Sequence, residues 1–170
     1  AQYAGAVDEF AARGFQAIAP DLPGFGQSLR LEGHWSIGDF AACMLECLDG
    51  WGLGRCVLVG GHLASLIAME AADRAPQRFA LVVLDGSWSQ ARKMMQRVPE
   101  LRALPRFSLA APEGRRSLRA APPGGMSSLE AIAEALAVLE SEVAAAPLRA
   151  AHEELVQKQL AERGYVGPMR

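Results

Sequence analysis

The sequence has few of the residues that cross-link a protein or anchor it in a membrane. It contains three cysteines, Cys43, Cys47 and Cys56, and no further histidine or cysteine completes a zinc-binding set around them. We therefore expect no metal site and interpret these thiols as reduced, core or near-core residues of a cytoplasmic protein. No run of about 18 apolar residues is present, which argues against a membrane-spanning helix. No signal peptide is evident, and the start at Ala1 suggests a processed end or an excerpt.

The chain also has little excess charge of either sign. The net charge is −2 over 170 residues, which argues against a polycation that binds nucleic acid or membranes with its whole surface. One segment differs, because between Asp85 and Ala120 eight basic residues stand against three acidic ones, a local charge of +5. This basic segment either faces phosphate groups or forms a solvated, arginine-rich surface.

The spacing of the hydrophobic residues, which make up 51% of the chain, predicts alternating helices and strands. Strand-length apolar runs occupy 15–20, 56–60 and 79–84, and helical spacing covers 3–13, 37–51, 62–74, 89–97, 129–139 and 147–163. Ser36 with Asp39, and Ser127 with Glu130, have the spacing of capping boxes that begin helices. We predict an α/β fold with a parallel or mostly parallel sheet, helices on both of its faces, and a mainly helical C-terminal part.

Residues 10–87 resemble the α/β-hydrolase family. The string RGFQAIAPDLPGFGQS, residues 13–28, is similar to the segment between the third strand of that family and the following helix. The string WGLGRCVLVGGHLASLIAMEAADRAPQRFALVVLDGS, residues 51–87, is similar to its strand, nucleophile elbow, helix and next strand. The elbow pattern, G-x-S-x-G, needs small residues because the strand turns sharply into the helix.

In this chain the elbow pattern falls on Gly60, Gly61, His62, Leu63 and Ala64. His62 therefore stands at the nucleophile position, where the family needs an oxygen or sulfur nucleophile that a base can activate. Ser65 lies too far along the helix to replace it, and we interpret Asp21 and His34 as turn and surface residues. The resemblance implies a hydrolase-like half with a degenerate elbow (Gly60, His62 and Ala64) and no esterase activity.

Residues 81–170 resemble the DTW-domain family of RNA aminocarboxypropyltransferases, which use S-adenosylmethionine. The motif D-x-[ST]-W stands as Asp85-Gly86-Ser87-Trp88. It lies within LVVLDGSWSQARKMMQRVPELRALPRFSL, residues 81–109, which is followed by SLRAAPPGGMSSLEAIAEALAVLE, residues 117–140. The resemblance implies transfer of the 3-amino-3-carboxypropyl group of S-adenosylmethionine to N3 of a uridine in tRNA or rRNA.

This second resemblance also implies roles for individual residues. Asp85 would accept or orient the N3 proton, although it could instead cap the following helix. Trp88 would stack on a base or on adenine, or is an ordinary core tryptophan. The cofactor site is expected at Leu84, Ser87, Trp88, Leu109, Ser127 and Ser128, with the helix after Ser128 holding the methionine carboxylate. The expected RNA phosphate contacts are Arg92, Lys93, Arg97, Arg102 and Arg106.

The string LVVLDGS, residues 81–87, fits both families and marks the expected join. We predict a hydrolase-like half over 1–84 and a DTW-like half over 81–170, so that the fold is chimeric or partial. Three interpretations remain open: a DTW-type transferase, which the intact motif favours although the N-terminal half of the family is absent; a pseudo-hydrolase with a helical tail; or a non-catalytic chimera.

Overall fold

The chain folds into two compact units, which we call unit 1 (Ala1–Arg102) and unit 2 (Ala103–Arg170). The structure is a computed structural model that describes residues 4–97, 105–110 and 125–162. None of the helices in these ranges is long and apolar enough to cross a membrane. Nor do the described residues bring three or more histidine, cysteine, aspartate or glutamate side chains together as a metal-binding group.

Unit 1 is an α/β arrangement built on a parallel pair of strands. Its elements are α1 (Ala4–Ala12), α2 (Ile37–Gly50), β1 (Cys56–Gly61), α3 (Leu63–Arg74), a short 3-10 turn (Pro76–Arg78), β2 (Phe79–Asp85) and α4 (Trp88–Arg97). β1 and β2 are hydrogen-bonded in parallel, in a register that runs from Cys56 opposite Phe79 to Gly61 opposite Asp85. The predicted α/β class and parallel sheet are confirmed, and α3 forms the crossover that parallel strands require.

The core of unit 1 lies between α2, α3 and the sheet. The buried residues of this cluster are Phe40, Ala41, Leu48, Ile67, Ala71, Ala72 and Phe79. The alanines let the helices approach closely, and Leu58 and Val82 pack against the cluster from the two strands. Val59 follows Leu58 in β1 and therefore points to the other face of the sheet, where it is 51% exposed.

Arg78 holds the loop between α2 and β1 in place through hydrogen bonds. Its guanidinium donates from Nε to the Gly54 carbonyl at 2.9 Å and from Nη2 to the Leu53 carbonyl at 2.7 Å. A third bond reaches the Asp49 carboxylate at 2.5 Å. Since Arg78 directly precedes β2, this clamp fixes the start of one strand against the loop that leads into the other.

The strand predicted at 15–20 is wrong, because these residues are not paired in a strand. Phe15 instead closes the end of α1: its N–H donates to the Phe10 carbonyl at 3.1 Å, past Gly14 at a φ of 86°. This is the left-handed ending that glycine favours. The turn that follows is organised by Asp21, whose carboxylate accepts from the Gln27 N–H at 3.0 Å, so the interpretation of Asp21 as a turn residue is confirmed.

Unit 2 is mainly helical between residues 125 and 162, whereas its described segment 105–110 is neither helix nor strand, and the predicted helical C-terminal part is confirmed. It contains α5 (Ser128–Leu139) and α6 (Glu142–Glu162), and the capping box of Ser127 with Glu130 is present. The predicted start of the last helix at Pro147 is wrong, since α6 begins five residues earlier, where the Ser141 hydroxyl accepts from the Ala144 N–H at 3.2 Å. Arg149 of α6 donates to Glu134 of α5 at 2.7 and 2.9 Å and also pairs with Glu142.

Candidate functional site

A cleft of about 420 Å³ opens where the two parallel strands of unit 1 end. His62 reaches it from the turn after β1, and Asp85 from the last position of β2. Helix α3 contributes Ser65 and Leu66, and helix α4 contributes Gln90, Lys93 and Met94. The carboxyl ends of parallel strands are the usual place for ligands in α/β folds, so this cleft is the candidate site of unit 1.

His62 has the strained backbone that an elbow requires. Its φ is 52° and its ψ is −120°. No other non-glycine residue in the described part of the chain has a positive φ. The turn is tight enough that a Cβ on Gly60 would lie 2.4 Å from the Ala64 carbonyl oxygen. The sequence pattern of small residues therefore does produce the sharp strand-to-helix turn. The exposed His62 imidazole lies at the position where the α/β-hydrolase family has its nucleophile.

Ser65, the nearest hydroxyl to the elbow, has a structural role. It is fully buried, and its Oγ donates to the Gly60 carbonyl at 2.8 Å. The bond ties the first turn of α3 back to the end of β1 and satisfies both buried groups. This geometry supports the interpretation that Ser65 does not replace the missing nucleophile.

Asp85 lies at the exposed end of β2, opposite Gly61 in the strand register. The helix that follows is capped by Ser87: the Ser87 hydroxyl accepts from the Gln90 N–H at 3.3 Å, and the Gln90 side chain accepts from the Ser87 N–H at 2.8 Å. This reciprocal pair is a capping box that the sequence analysis missed, although Ser87-x-x-Gln90 carries its signature. The cap places Ser87 rather than Asp85 at the start of α4.

The expected cofactor residues are divided between the two units. Leu84 is half-buried in β2 of unit 1, whereas half-buried Leu109, exposed Ser127 and half-buried Ser128 belong to unit 2. The Ser127 hydroxyl accepts from the Glu130 N–H at 3.2 Å, so it is engaged in the capping box of α5. The side chain of Trp88 lies outside the described part of the chain.

Of the expected RNA contacts, three have described side chains. Arg92 and Lys93 are exposed on α4, and Arg106 is exposed in the segment 105–110. Lys93 also lines the cleft, a position that its place in a basic run did not indicate. Arg102 and the side chain of Arg97 lie outside the described residues.

The cysteines do not contribute to the cleft. All three are unpaired thiols and half-buried, which fits the near-core interpretation. Burial raises the pKa of Cys56 and of Cys43, and the neighbouring Cys47 raises the pKa of Cys43 further. A raised pKa disfavours the reactive thiolate, so Cys43 and Cys56 are not candidate nucleophiles.

Curated relatives of the chain include several hydrolases. A protein named as carbamate hydrolase RutD from Azorhizobium caulinodans is 33% identical over 138 residues, which is 81% of this chain and 50% of that protein. A second RutD, from Variovorax paradoxus, is 36% identical over 78 residues, 45% of this chain and 29% of that protein. A 2-hydroxy-6-oxononadienedioate/2-hydroxy-6-oxononatrienedioate hydrolase from Burkholderia vietnamiensis is 37% identical over 81 residues, 47% of this chain and 28% of that protein.

The chain spans half or less of the length of each of these relatives, and no solved structure matches it. A family match covers more than half of the chain. Residues 58–160 match the DTW domain, from β1 through most of α6, and the matched range includes the cleft residues His62, Asp85 and Lys93. The hydrolase likeness is therefore partial, and over residues 58–160 this chain belongs to the DTW domain family.

Proposed function

We propose that this chain acts in RNA modification, moving the 3-amino-3-carboxypropyl group of S-adenosylmethionine to N3 of a uridine in tRNA, with rRNA as the other possible substrate. The observation that carries the proposal is the position of Asp85. It belongs to an intact D-x-[ST]-W motif within the matched DTW range and lines a cleft at the carboxyl end of its strand.

Asp85 is proposed as the catalytic residue because the reaction has to remove a proton from uridine N3. When bound, S-adenosylmethionine would supply an alkyl carbon activated by an adjacent sulfonium, with a neutral thioether as the leaving group. The Asp85 carboxylate would take the proton that N3 loses as it is alkylated. A carboxylate at a strand end, beside a helix held by the Ser87 cap, is well placed to keep a fixed orientation.

The charges in the cleft fit the amino-acid part of the cofactor. Lys93 offers a cation for its carboxylate, and Asp85 offers an anion for its ammonium or sulfonium group. Leu66 and Met94 supply apolar surface beside them. Leu84, Ser87 and Trp88 remain the proposed cofactor residues of unit 1, and Leu109, Ser127 and Ser128 remain those of unit 2. The hydroxyl and N–H groups of Ser87 and Ser127 are engaged in the capping boxes of α4 and α5, so a bound cofactor would have to share these groups with the caps.

RNA is the proposed partner, and the basic residues of α4 and the segment after it are the proposed phosphate contacts. Arg92 and Arg106 are exposed, and Arg97 and Arg102 extend the same basic stretch of sequence. Binding of this kind weakens as salt is added, because phosphate contacts release counterions. We also propose a cytoplasmic location, which the unpaired thiols support.

The test is incubation with unmodified tRNA, or rRNA, and S-adenosylmethionine, followed by mass spectrometry of the digested nucleosides. We expect aminocarboxypropyl-uridine from the wild-type chain and a loss of about 100-fold or more with Asp85→Asn, the scale of removing a general base. Asp73→Asn is the matched control, since Asp73 is an exposed aspartate of α3 that is not part of the cleft, and it should retain full activity.

The outcome separates the three interpretations of the sequence. A folded wild-type chain that forms no modified nucleoside would overturn the transferase proposal in favour of a pseudo-hydrolase or a non-catalytic chimera. Product that is insensitive to Asp85→Asn would leave the transferase but remove Asp85 from the reaction.

A further inference from the structure

We propose that His62 is an acyl acceptor, and that the chain hydrolyses activated esters of short acids through an acyl-imidazole at this residue. The activity is independent of the proposed RNA modification. It also differs from the esterase reaction of the α/β-hydrolase family, which uses an oxygen or sulfur nucleophile.

The first argument is how the elbow presents the imidazole. His62 combines positive φ with an exposed side chain at the edge of the cleft. A non-glycine residue in this conformation costs free energy and persists only where its surroundings impose it. Here the Ser65 bond to Gly60 and the close approach of Gly60 to Ala64 impose it. The elbow therefore fixes the backbone position from which the exposed imidazole reaches the cleft.

The second argument is the charge that surrounds the position of an attacked carbonyl. Lys93 lines the same cleft and would stabilise a developing oxyanion. Helix α3 begins at Leu63 directly after His62, and no side chain among the described residues caps it. The N–H groups of a first helical turn lack partners within the helix and add positive potential there. An oxyanion beside His62 thus faces both a cation and a helix start.

The reaction balances without a further reagent. The unprotonated imidazole nitrogen attacks the acyl carbon, the bond from that carbon to the leaving oxygen or sulfur breaks, and the leaving group departs as an anion. The acylated ring then loses its remaining N–H proton to solvent. Water adds to the acyl-imidazole, the C–N bond breaks, the ring nitrogen regains a proton, and the carboxylic acid is released.

The cleft also defines the class of substrate. Imidazole expels phenolates and thiolates far more readily than alkoxides, because phenols and thiols are stronger acids than alcohols. Leu66 and Met94 give the cleft apolar walls, and its volume of about 420 Å³ suits a small acyl group. Aryl esters and thioesters of short fatty acids are the expected substrates.

The test uses the full chain with 4-nitrophenyl acetate, following release of nitrophenolate and the mass of the protein. We expect steady turnover with a transient acetyl adduct on the peptide that contains His62, discharged by hydroxylamine. His62→Ala and His62→Gln should each lower the rate about tenfold or more. The matched control is His34→Ala, which removes an exposed histidine outside the cleft and should leave the rate unchanged.

Two results would overturn the inference. One is an unchanged rate in both His62 variants, with far-UV circular dichroism showing that they are folded. The other is a stable acetyl group on Lys93 as the sole adduct, which would indicate simple amine acylation. Neither result bears on the nucleoside assay, so failure here is distinguishable from failure of the transferase proposal.

Discussion

His62→Gly should make the protein more stable although it deletes a side chain. The wild-type residue holds a φ of 52° with a ψ of −120°, a combination that costs about 1–3 kcal/mol for a residue with a Cβ. Glycine removes that cost but adds about 0.4–1 kcal/mol of backbone freedom to the unfolded chain. The net change is a gain of about 1 kcal/mol in the free energy of unfolding, or about 2–4 °C in Tm for a chain of this size.

His62→Ala is the comparison that isolates the backbone. Alanine keeps the strained conformation and loses an exposed ring, so its stability should stay within about 0.5 kcal/mol of wild type. His34→Gly makes the same exchange at a position without positive φ and should lower stability by up to about 1 kcal/mol. The free energy of unfolding of the wild type and the three variants is measured with urea. If His62→Gly is no more stable than His62→Ala, the elbow is not strained.

Three further predictions concern other parts of the fold. Arg78→Met should lower the free energy of urea unfolding by about 2 kcal/mol, because it removes three charged hydrogen bonds. The control Arg74→Met breaks the exposed ion pair of Arg74 with Glu70 in α3 and should lower the free energy of unfolding by less than about 0.5 kcal/mol. Equal losses in the two variants would contradict the proposed role of Arg78. The Arg149 hydrogen bonds hold the pKa of Glu134 below its ordinary value, so their stabilisation is complete above the ordinary glutamate range. It is lost as pH falls through the lowered pKa. The free energy of urea unfolding should therefore be lower for Arg149→Met than for wild type by about 1 kcal/mol at neutral pH, and by less in acid. A difference that does not depend on pH would refute the pairing of Arg149 with Glu134. Burial raises the pKa of Cys56, so iodoacetamide should alkylate it near neutral pH more slowly than it alkylates the unfolded chain, as measured by peptide mass spectrometry. Equal rates would contradict its burial.

Local signals predicted the helices well. The capping boxes at Ser36 and Ser127 form as their spacing indicates, because a cap depends on residues three positions apart. The two errors have different causes. The apolar run at 15–20 has the composition of a strand, but a strand exists only where a neighbour pairs with it. Pro147 suggested a first helical turn, yet a proline is accommodated further inside α6.

The candidate site was only partly readable from the sequence. The motif around Asp85 and the elbow pattern around His62 are visible as strings, but they lie 23 positions apart. That both line one cleft follows from the parallel register that sets Gly61 opposite Asp85. The strained φ of His62 is likewise a property of the backbone, which a pattern of small residues suggests without giving its value. Lys93 joins the site for a similar reason, since the capped start of α4 sets which face of the helix meets the cleft.

The two-residue connection between α5 and α6, at Glu140 and Ser141, has a consequence for how the chain folds. Helices joined so closely meet after a small loop has closed, and the Arg149 bonds to Glu134 span only 15 positions. Pairing β1 with β2 instead closes a longer loop that contains the whole of α3, since Cys56 pairs with Phe79 and Val57 with Leu81. Folding rates follow the sequence separation of contacts, so the helical hairpin should acquire protection from hydrogen exchange before the strands do. Pulse-labelled exchange during refolding would give the order.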